Sequence, residues 1–244
     1  MKKTYYQLLE EIRNFFRRNH CHKAVVGLSG GLDSALALKL CCDALKNKNV
    51  TAIIMPETGL TKEKNTQDAL NLAKKLKIKH FVIEINPFLD ALNNIPWKQS
   101  KVALMNTKAR IRGLLLYNYA NSNNSLVIGA SNKSELLLGY GTKYGDLAAD
   151  VFVIGDLLKT EAIELAKFLK LPDRIIKKKP SAELTVGQTD EAELGASYAK
   201  LDSILKKFLK DEKLNKKDNL VKKTLQRVEK NKHKSEPVPT IELK

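Results

Sequence analysis

Cysteine is scarce in this sequence. Three cysteines, at positions 21, 41 and 42, are spread over 244 residues, with no C-x-x-C pair and no metal-ligand spacing to the four histidines. This pattern excludes a disulfide framework and a zinc–cysteine site, and it favours a reducing compartment. We expect the three thiols to be small buried side chains.

Long apolar runs are also missing. No stretch reaches the roughly 18 apolar residues that a membrane helix requires. The N-terminal segment, MKKTYYQLLEEIRNFFRR, carries charges where a signal peptide has its apolar core, so it predicts an amphipathic surface helix. We therefore expect a cytoplasmic protein without a membrane partner.

Acidic residues are outnumbered, 27 against 43 lysines and arginines, which gives a formal net charge of +16. Such a balance raises the question of a nucleic-acid partner. The lysines are spread over many segments, however, and are densest in 200–234. A solvated basic face, or attraction for a polyanionic small molecule, explains the charge as well, and nucleic acid is the less favoured partner.

Apolar runs that are short do recur, and they predict five strands, at 24–28, 50–55, 80–85, 125–129 and 151–154. Their nearly continuous apolar character is typical of strands buried on both faces. Helical patterns precede, separate and follow them, at about 5–19, 33–46, 61–77, 99–121 and 160–170. The alternation predicts an α/β fold: a doubly wound, mostly parallel five-stranded sheet with helices on both faces. In such sheets ligands bind beyond the carboxyl ends of the strands.

The pattern changes from about residue 178. Residues 178–195 lack a strand pattern and predict a loop that acts as a mobile lid. The run TDEAELGASYAKLDSILKKFL then predicts one helix with Thr189 as its N-cap, and a last helix follows at about 217–232. We expect a single domain over 1–244 whose C-terminal part, 196–244, is helical.

The segment GLSGGLDS, residues 27–34, lies between the first strand and the first helix of this alternation. Its glycines allow the backbone to approach a ligand, and its amides and serine hydroxyls suit an anion such as phosphate. The lysine of the Walker A loop is absent. Asp33 would repel phosphate unless a divalent cation intervened, so it is a natural Mg²⁺ ligand.

The motif S-G-G-x-D-S resembles the pyrophosphate loop of the N-type ATP pyrophosphatases. Members of this superfamily cleave ATP between its α- and β-phosphates, adenylate a substrate oxygen and let a nucleophile displace AMP. Four further stretches are similar to the ammonia-dependent NAD synthetase family in order and spacing: NTKARIRGLLLY, IGASNKSELLLGYGTKYGDLAAD, LLKTEAIELA and PSAELTVGQTDEAELGASY.

This resemblance covers nearly the whole chain and implies a fold of the adenine nucleotide alpha hydrolase type. It also implies the substrates ATP, deamido-NAD and ammonia, with Mg²⁺ as cofactor. The implied ATP-binding residues are Gly27, Leu28, Ser29, Gly30, Gly31, Leu32, Asp33, Ser34, Ala130, Lys159 and Ser181. The implied metal ligands are Asp33 and Glu135.

For deamido-NAD the resemblance implies Arg110, Lys143, Asp150, His233 and Lys234, with Arg112 as a weaker candidate beside Arg110. Asp146 and Lys159 are the implied catalytic residues: Asp146 would hold ammonium and take its proton, and Lys159 would neutralise phosphate charge. Turn capping by Asp146 is the structural alternative. The chain departs from the family at Ala130, where the family has threonine, and at Ser235, where the family often has arginine.

Two alternatives to the amide-forming ligase stay open at this point. A tRNA-modifying ATP pyrophosphatase would suit the positive charge, but the cysteine pair of the thiolases is missing. A nucleotide-binding module without activity would not need both Asp33 and Glu135. Because the length leaves no room for an amidase domain, we expect free ammonia as the nitrogen donor, unless a separate amidase binds in trans. The resemblance also implies a homodimer, for which the helix at 99–121 offers Val102, Leu104, Met105, Leu114, Leu115 and Leu116.

Overall fold

The computed structural model describes residues 1–242. Within that range five parallel strands form one sheet in the order β3-β2-β1-β4-β5. The strands are β1 (Ala24–Gly27), β2 (Val50–Ile54), β3 (Lys79–Val82), β4 (Leu126–Gly129) and β5 (Val151–Phe152). The chain is therefore an α/β protein with a parallel sheet, and this prediction is confirmed.

Helices precede, separate and follow the strands. They are α1 (Lys2–Arg18), α2 (Leu32–Leu45), α3 (Glu63–Lys75), α4 (Asn86–Asp90), α5 (Lys101–Asn123), α6 (Lys133–Leu138), α7 (Lys159–Phe168), α8 (Asp173–Ile176), α9 (Asp190–Leu194), α10 (Tyr198–Leu209) and α11 (Asn219–Asn231). None of the helices between residues 1 and 242 combines the length and the apolar character that crossing a membrane requires.

Each face of the sheet has its own apolar core, because successive side chains of a strand point to opposite faces. Val26 packs in the larger core with residues of α1, α2 and α7, whereas its neighbour Val25 packs in a second core beneath α5. The sheet is thus covered on both sides. A third core joins α6 to the C-terminal helices, through Leu138, Leu158, Leu201 and Leu205.

Strand β3 differs from the prediction. The run at 80–85 was expected to be buried on both faces, but the strand ends at Val82, and Phe81 and Val82 are 38% and 47% exposed. The physical reason is position: β3 pairs with β2 alone and forms one edge of the sheet. An apolar run of this length cannot by itself distinguish an edge strand from a central one.

The single helix predicted from Thr189 onward is wrong, because the structure has two helices there. Thr189 does precede a helix, but α9 ends after one turn at Gly195, whose φ of +78° is left-handed, and α10 begins only at Tyr198. Glycine terminates helices readily because it adopts this conformation without strain. The helical C-terminal part then continues through α11, and residues 243–244 of the predicted part lie outside the described residues.

Candidate active site

A large cavity opens at the carboxyl edge of the sheet, where β1, β2 and β4 end. Its volume is about 940 Å³, and its lining extends from the segment after β1 to the loop 139–146 and the segment 176–190. Cavities for small molecules commonly span about 300–1,000 Å³. The space therefore suits ligands as large as nucleotides, at the place that the parallel sheet predicts.

The segment after β1 forms a tight loop at the mouth of this cavity. The Ser34 hydroxyl lies 3.0 Å from that of Ser29, and the Gly31 amide donates to Ser29 Oγ at 3.2 Å. Gly31 is the N-cap of α2 and supplies no side-chain cap, so the first turn of this helix keeps free amides. With the helix dipole, this end of α2 favours an anion.

Gly30 is the position in this loop where glycine is required. Its φ is +77°, and a Cβ built there would lie 2.2 Å from the backbone oxygen of Asn65 in α3. Any side chain would therefore displace the loop from α3 or strain the backbone. The loop is held by direct backbone packing, and its other predicted members, Gly27 to Ser34, line the cavity.

Two carboxylates converge on one buried lysine beside the loop. Lys159, at the start of α7, is 3% exposed and forms ion pairs with Asp33 and, at 3.3 Å, with Glu135 Oε1. These residues come from three helices that all begin at the carboxyl edge of the sheet, α2, α6 and α7. The structure thus brings together three residues that lie far apart in sequence.

Burial and neighbouring charge shift the pKa values of this group in a consistent way. Burial acts to lower the pKa of Lys159, but Asp33 and Glu135 outweigh it and raise that pKa above its ordinary value. Burial raises the pKa of Glu135 to about 8; Lys159 opposes this shift and Asp33 adds to it. The lysine therefore stays charged, and its charge favours the ionised form of Glu135 against burial.

Asn132 belongs to the same group, although the sequence analysis gave it no role. Fully buried, it caps α6 by accepting from the Glu135 amide at 3.1 Å, and its Nδ2 donates to Asp33 Oδ1 at 3.2 Å. The Asn-x-x-Glu spacing is a capping-box pattern that could have revealed the first contact. Nothing in the sequence indicates the second.

Asp190 is a further carboxylate near this group that the sequence analysis quoted in a motif without a role. It is 4% exposed and accepts from the hydroxyls of Tyr140 at 3.0 Å and Tyr198 at 3.2 Å. Burial is the main cause that raises its pKa. The Tyr198 ring also faces Lys159, whose Nζ lies 5.2 Å from the ring centre. Asp190 therefore links the end of the segment 178–190 to the lysine.

Asp146 lies on the wall of the cavity that the loop 139–146 forms, where it is exposed to the cavity. Its Oδ1 accepts from the Thr142 amide at 2.9 Å, so the carboxylate also caps its own turn. Burial raises its pKa, although this hydrogen bond opposes the shift. Lys234 lines the same wall, donates to the carbonyls of Gly139 and Gly141, and has a pKa lowered mainly by burial. The C-terminal segment thus helps to build this wall.

Four residues predicted for the dinucleotide lie outside the cavity lining: Arg110, Lys143, Asp150 and His233. Arg110 is exposed and donates to the Lys143 carbonyl at 3.4 Å, while Lys143 Nζ donates to the His233 carbonyl at 2.9 Å. Arg112, the weaker candidate, does line the cavity, and its Nε donates to the Met55 carbonyl at 3.0 Å. The two arginines point apart because residues two apart do not share a helix face.

Asp150 has a clear structural contact. Its Oδ2 accepts from the Val127 amide at 2.7 Å, and its Oδ1 accepts from the Tyr117 hydroxyl at 3.3 Å. It thereby ties the segment before β5 to β4 and α5. The remaining predicted residues, Ala130 and Ser181, both line the cavity. The Ser181 hydroxyl donates to the Gln188 carbonyl at 2.7 Å and so closes the base of the loop 181–188.

These features define a class: an α/β nucleotide-binding protein with two features at the carboxyl edge of a parallel sheet. One is the glycine-rich loop 27–34, here called the phosphate loop, and the other is the cluster of Asp33, Glu135 and Lys159, here called the carboxylate–lysine group. Comparison with known proteins is more specific. The family model described as NAD synthase matches residues 4–238. The chain belongs to the NAD synthase family.

Individual relatives match over almost their full length. A protein of Archaeoglobus fulgidus named NH(3)-dependent NAD(+) synthetase is 45% identical over 243 residues, which cover 100% of this chain and 98% of the relative. The structure of the NH3-dependent NAD synthetase from Campylobacter jejuni matches with a TM-score of 0.84 at 40% identity, covering 99% of both chains. A structure described as NMN synthetase from Francisella tularensis matches with a TM-score of 0.87 at 32% identity, covering 99% and 98%.

Proposed function

We propose that this protein is an ammonia-dependent NAD synthetase, a ligase that converts deamido-NAD, ammonia and ATP into NAD, AMP and pyrophosphate. The observation that carries the proposal is the meeting of Asp33, Glu135 and Lys159 beside the phosphate loop. The names and full-length coverage of the relatives support the substrate and the nitrogen donor. They do not favour the tRNA-modifying alternative.

The first chemical step is adenylation. A nicotinate carboxylate oxygen attacks the α-phosphorus of ATP, the bond to the bridging oxygen breaks, and pyrophosphate leaves with the electron pair. The loop 27–34 would hold the β- and γ-phosphates on its amides and on the N-terminus of α2. Lys159 supplies a fixed positive charge within this site, where negative charge accumulates on the leaving group.

The second step is amidation. Ammonia attacks the carbonyl carbon of the acyl adenylate, and the bond to the AMP oxygen breaks. Asp146 would bind ammonium and accept its proton, and the raised pKa that burial gives this carboxyl suits such a base. Since both steps proceed on the substrate itself, no covalent enzyme intermediate is needed.

The carboxylate pair fits Mg²⁺. Asp33 and Glu135 offer hard oxygen ligands beside the phosphate loop, and Mg²⁺ in nucleotide sites is usually bound by one or two carboxylates together with phosphate oxygens. Among residues 1–242 there is no cluster of three or more histidine, cysteine, aspartate or glutamate side chains that could hold a metal without such help. Mg²⁺ bound there would neutralise phosphate charge. Asp33 and Glu135 would be its ligands.

The dinucleotide would contact Lys234 inside the cavity, and Arg110, Lys143, Asp150 and His233 at its outer side. We further propose a homodimer, in which the partner completes this outer side. Exposed leucines on α5 support it: Leu104 and Leu114 are 37% and 63% exposed. Residues 178–195 would act as the lid that excludes water from the acyl adenylate. The cytoplasm is the compartment that we propose.

A second candidate substrate is the mononucleotide counterpart, because one of the similar structures is described as an NMN synthetase. The chemistry would be the same at the nicotinate carboxyl. The two substrates differ in the second nucleotide, which only the dinucleotide offers to the outer residues.

One assay tests both candidates. Purified protein is incubated with ATP, Mg²⁺ and ammonium, and with either deamido-NAD or nicotinate mononucleotide; the amide, AMP and pyrophosphate are measured. We expect equal amounts of NAD, AMP and pyrophosphate with deamido-NAD, and little product with the mononucleotide. Faster turnover of the mononucleotide would favour the second candidate. ADP as product, or ATP cleavage that needs neither substrate, would refute both.

A further inference from the structure

We propose that Asp202, in the C-terminal part of the chain, is a positioning residue that fixes Glu135 and Lys159 relative to each other. The inference rests on the proposed function, in which those two side chains act on ATP. Asp202 lies on α10 and is 1% exposed. It does not line the large cavity, so it acts on the site only through other residues.

Both oxygens of Asp202 are used, and each contacts a different helix. Oδ1 accepts from the Ser134 hydroxyl of α6 at 2.5 Å. Oδ2 accepts from the Thr160 amide in the first turn of α7 at 2.8 Å. The two helices that carry Glu135 and Lys159 are therefore joined through one buried carboxylate on a third helix.

Ser134 extends this connection. Its hydroxyl donates to Asp202 and accepts from the Lys159 amide at 2.9 Å. Removing Asp202 would leave the Thr160 amide without its acceptor. It would also release the Ser134 hydroxyl, which accepts from the Lys159 amide. Ser134 directly precedes Glu135 in sequence, so each bonded residue adjoins a residue of the carboxylate–lysine group.

The chemistry explains why a carboxylate is needed. It accepts two hydrogen bonds without offering a proton, whereas an amide would turn a donor toward one of the two groups. The amides of the first turn of α7 have no partners within the helix, and the helix dipole favours negative charge there. A buried carboxylate is otherwise costly, and here each of its oxygens accepts one of these hydrogen bonds.

Small displacements have large effects in such sites: about 1 Å can cost roughly a hundredfold in rate. We therefore expect Asp202→Asn to lower kcat by about 10- to 100-fold while the KM for ATP changes by less than about threefold. Ser134 and Asp202 belong to one hydrogen-bond network, so the effects of replacing them should not add. Ser134→Ala should lower kcat in the wild-type background and have little further effect in Asp202→Asn.

Amide hydrogen exchange gives a readout that does not depend on activity. In Asp202→Ala the amides of Lys159 and Thr160 should exchange at least about tenfold faster. The Ala162 amide, which is bonded to the Leu158 carbonyl at 2.8 Å within α7, should keep its protection. A general loss of stability would instead accelerate all three amides together.

Two control variants separate positioning from simple destabilisation. Ser203→Ala changes an exposed side chain beside Asp202 and should be neutral. Thr51→Val removes a buried hydroxyl that is bonded to Tyr119 at 3.1 Å, at the start of β2 and far from α6 and α7. It should lower the unfolding midpoint and leave kcat unchanged.

Several outcomes would overturn the inference. Folded Asp202→Asn and Asp202→Ala with wild-type kcat would do so, as would exchange that accelerates throughout α7. If neither Asp202 variant folds, Ser134→Ala decides, and unchanged kcat and exchange in that variant would refute the proposal. Failure of the proposed function would look different, because the wild-type protein itself would then make no amide. In that case the hydrogen-exchange pattern would still test the positioning role.

Discussion

At the residue scale, Lys159 carries the most charge interactions in the site. It is buried between two carboxyl groups, whose charge outweighs the cost of burying the ammonium, and its own charge opposes the rise that burial causes in the pKa of Glu135. The aromatic ring of Tyr198 covers it from another side. The arrangement explains why a lysine at the start of a helix, normally an unfavourable position for a cation, is retained here.

The corresponding prediction concerns Lys159→Met. We expect the rate of pyrophosphate release to fall by about 10²–10³-fold or more, because the fixed positive charge at the leaving group is lost. Asp33 and Glu135 would then face each other without a cation, so the free energy of unfolding should fall by about 3–5 kcal/mol. Pyrophosphate release and urea denaturation measure the two effects.

Lys133→Met is the matched control. Lys133 lies on α6 beside the site, but its ion pair is with Asp156, whose side chain is 89% exposed. Surface pairs contribute about 0–1 kcal/mol, so this variant should keep its rate and nearly all of its stability. Equal losses in both variants would mean that Lys159 has no special role.

Asp146 gives a prediction with a defined sign. Burial raises its pKa in the folded state above the unfolded value of about 3.9, so the folded state binds more protons at this site. Its contribution to stability is therefore lost as pH rises from the unfolded through the folded pKa. Asp146→Asn should be slightly more stable than wild type at neutral pH, since the residue is exposed to solvent within the cavity, and the difference should vanish below about pH 4.

Urea denaturation at several pH values measures this difference, and product analysis measures its cost. If Asp146 accepts the proton of ammonium, the variant should still release pyrophosphate but form amide slowly. Asp173→Asn is a control whose effect on stability has the opposite sign. Lys177 lowers the pKa of Asp173, so the stability that this pair contributes is present above the unfolded pKa and is lost as the pH falls through the folded pKa. A stability advantage of Asp146→Asn over wild type that is larger at acidic pH than at neutral pH would contradict the assignment.

At the scale of elements, the phosphate loop and α3 form one unit through backbone contact. Gly30 and Gly59 both have positive φ, +77° and +87°, but only Gly30 lacks space for a Cβ, since nothing lies within 4 Å of Gly59. Gly59→Ala should therefore cost about 1–2 kcal/mol of unfolding free energy, from the backbone conformation alone.

Gly30→Ala should cost clearly more, because the Asn65 carbonyl that the methyl meets is backbone and cannot rotate away. The displaced loop should also raise the KM for ATP. Chemical denaturation and steady-state kinetics of the two variants measure the contrast. Similar losses of stability, with ATP affinity unchanged in both, would show that the loop does not depend on this packing.

Elements could be predicted to different degrees for identifiable reasons. Strands β1, β2 and β4 begin and end within one residue or so of the predicted bounds, because their apolar runs are bounded by polar or glycine residues. The break at Gly195 had a local signal, a glycine after an acidic helical turn, that the amphipathic pattern on both sides obscured. The exposure of β3 had no local signal, since it depends on which strand has only one neighbour.

At the scale of the molecule, the parallel sheet explains how much of the site was predictable. Motifs that follow parallel strands lie at one edge, so the sequence places Asp33 and Glu135 at the same edge, and the pairing of β1 with β4 makes them neighbours. Contacts such as those of Ser134 with Asp202, 68 residues apart, and of Asn132 with Asp33, 99 residues apart, leave no pattern in a single sequence. The first depends on how the C-terminal helix α10 packs against α6, and the second on how the N-terminus of α6 lies beside the start of α2.

The last prediction concerns assembly. Leu114 of α5 is 63% exposed, and Arg110 and Lys143 are placed outside the cavity, where a partner could join them. We expect a dimer in sedimentation velocity, which Leu114→Lys should convert to a monomer because a buried lysine would be unpaired at the interface. The KM for the dinucleotide should rise with dissociation.

Val238→Lys is the control for that experiment. Val238 has nearly the same exposure, 66%, but lies in the C-terminal tail beyond α11. Loss of the dimer in Leu114→Lys but not in Val238→Lys would locate the interface on α5, whereas a monomeric wild type with full activity would refute it. If Leu114→Lys dissociates yet keeps its KM for the dinucleotide, Arg110 and Lys143 act without a partner, and the site is complete within one chain.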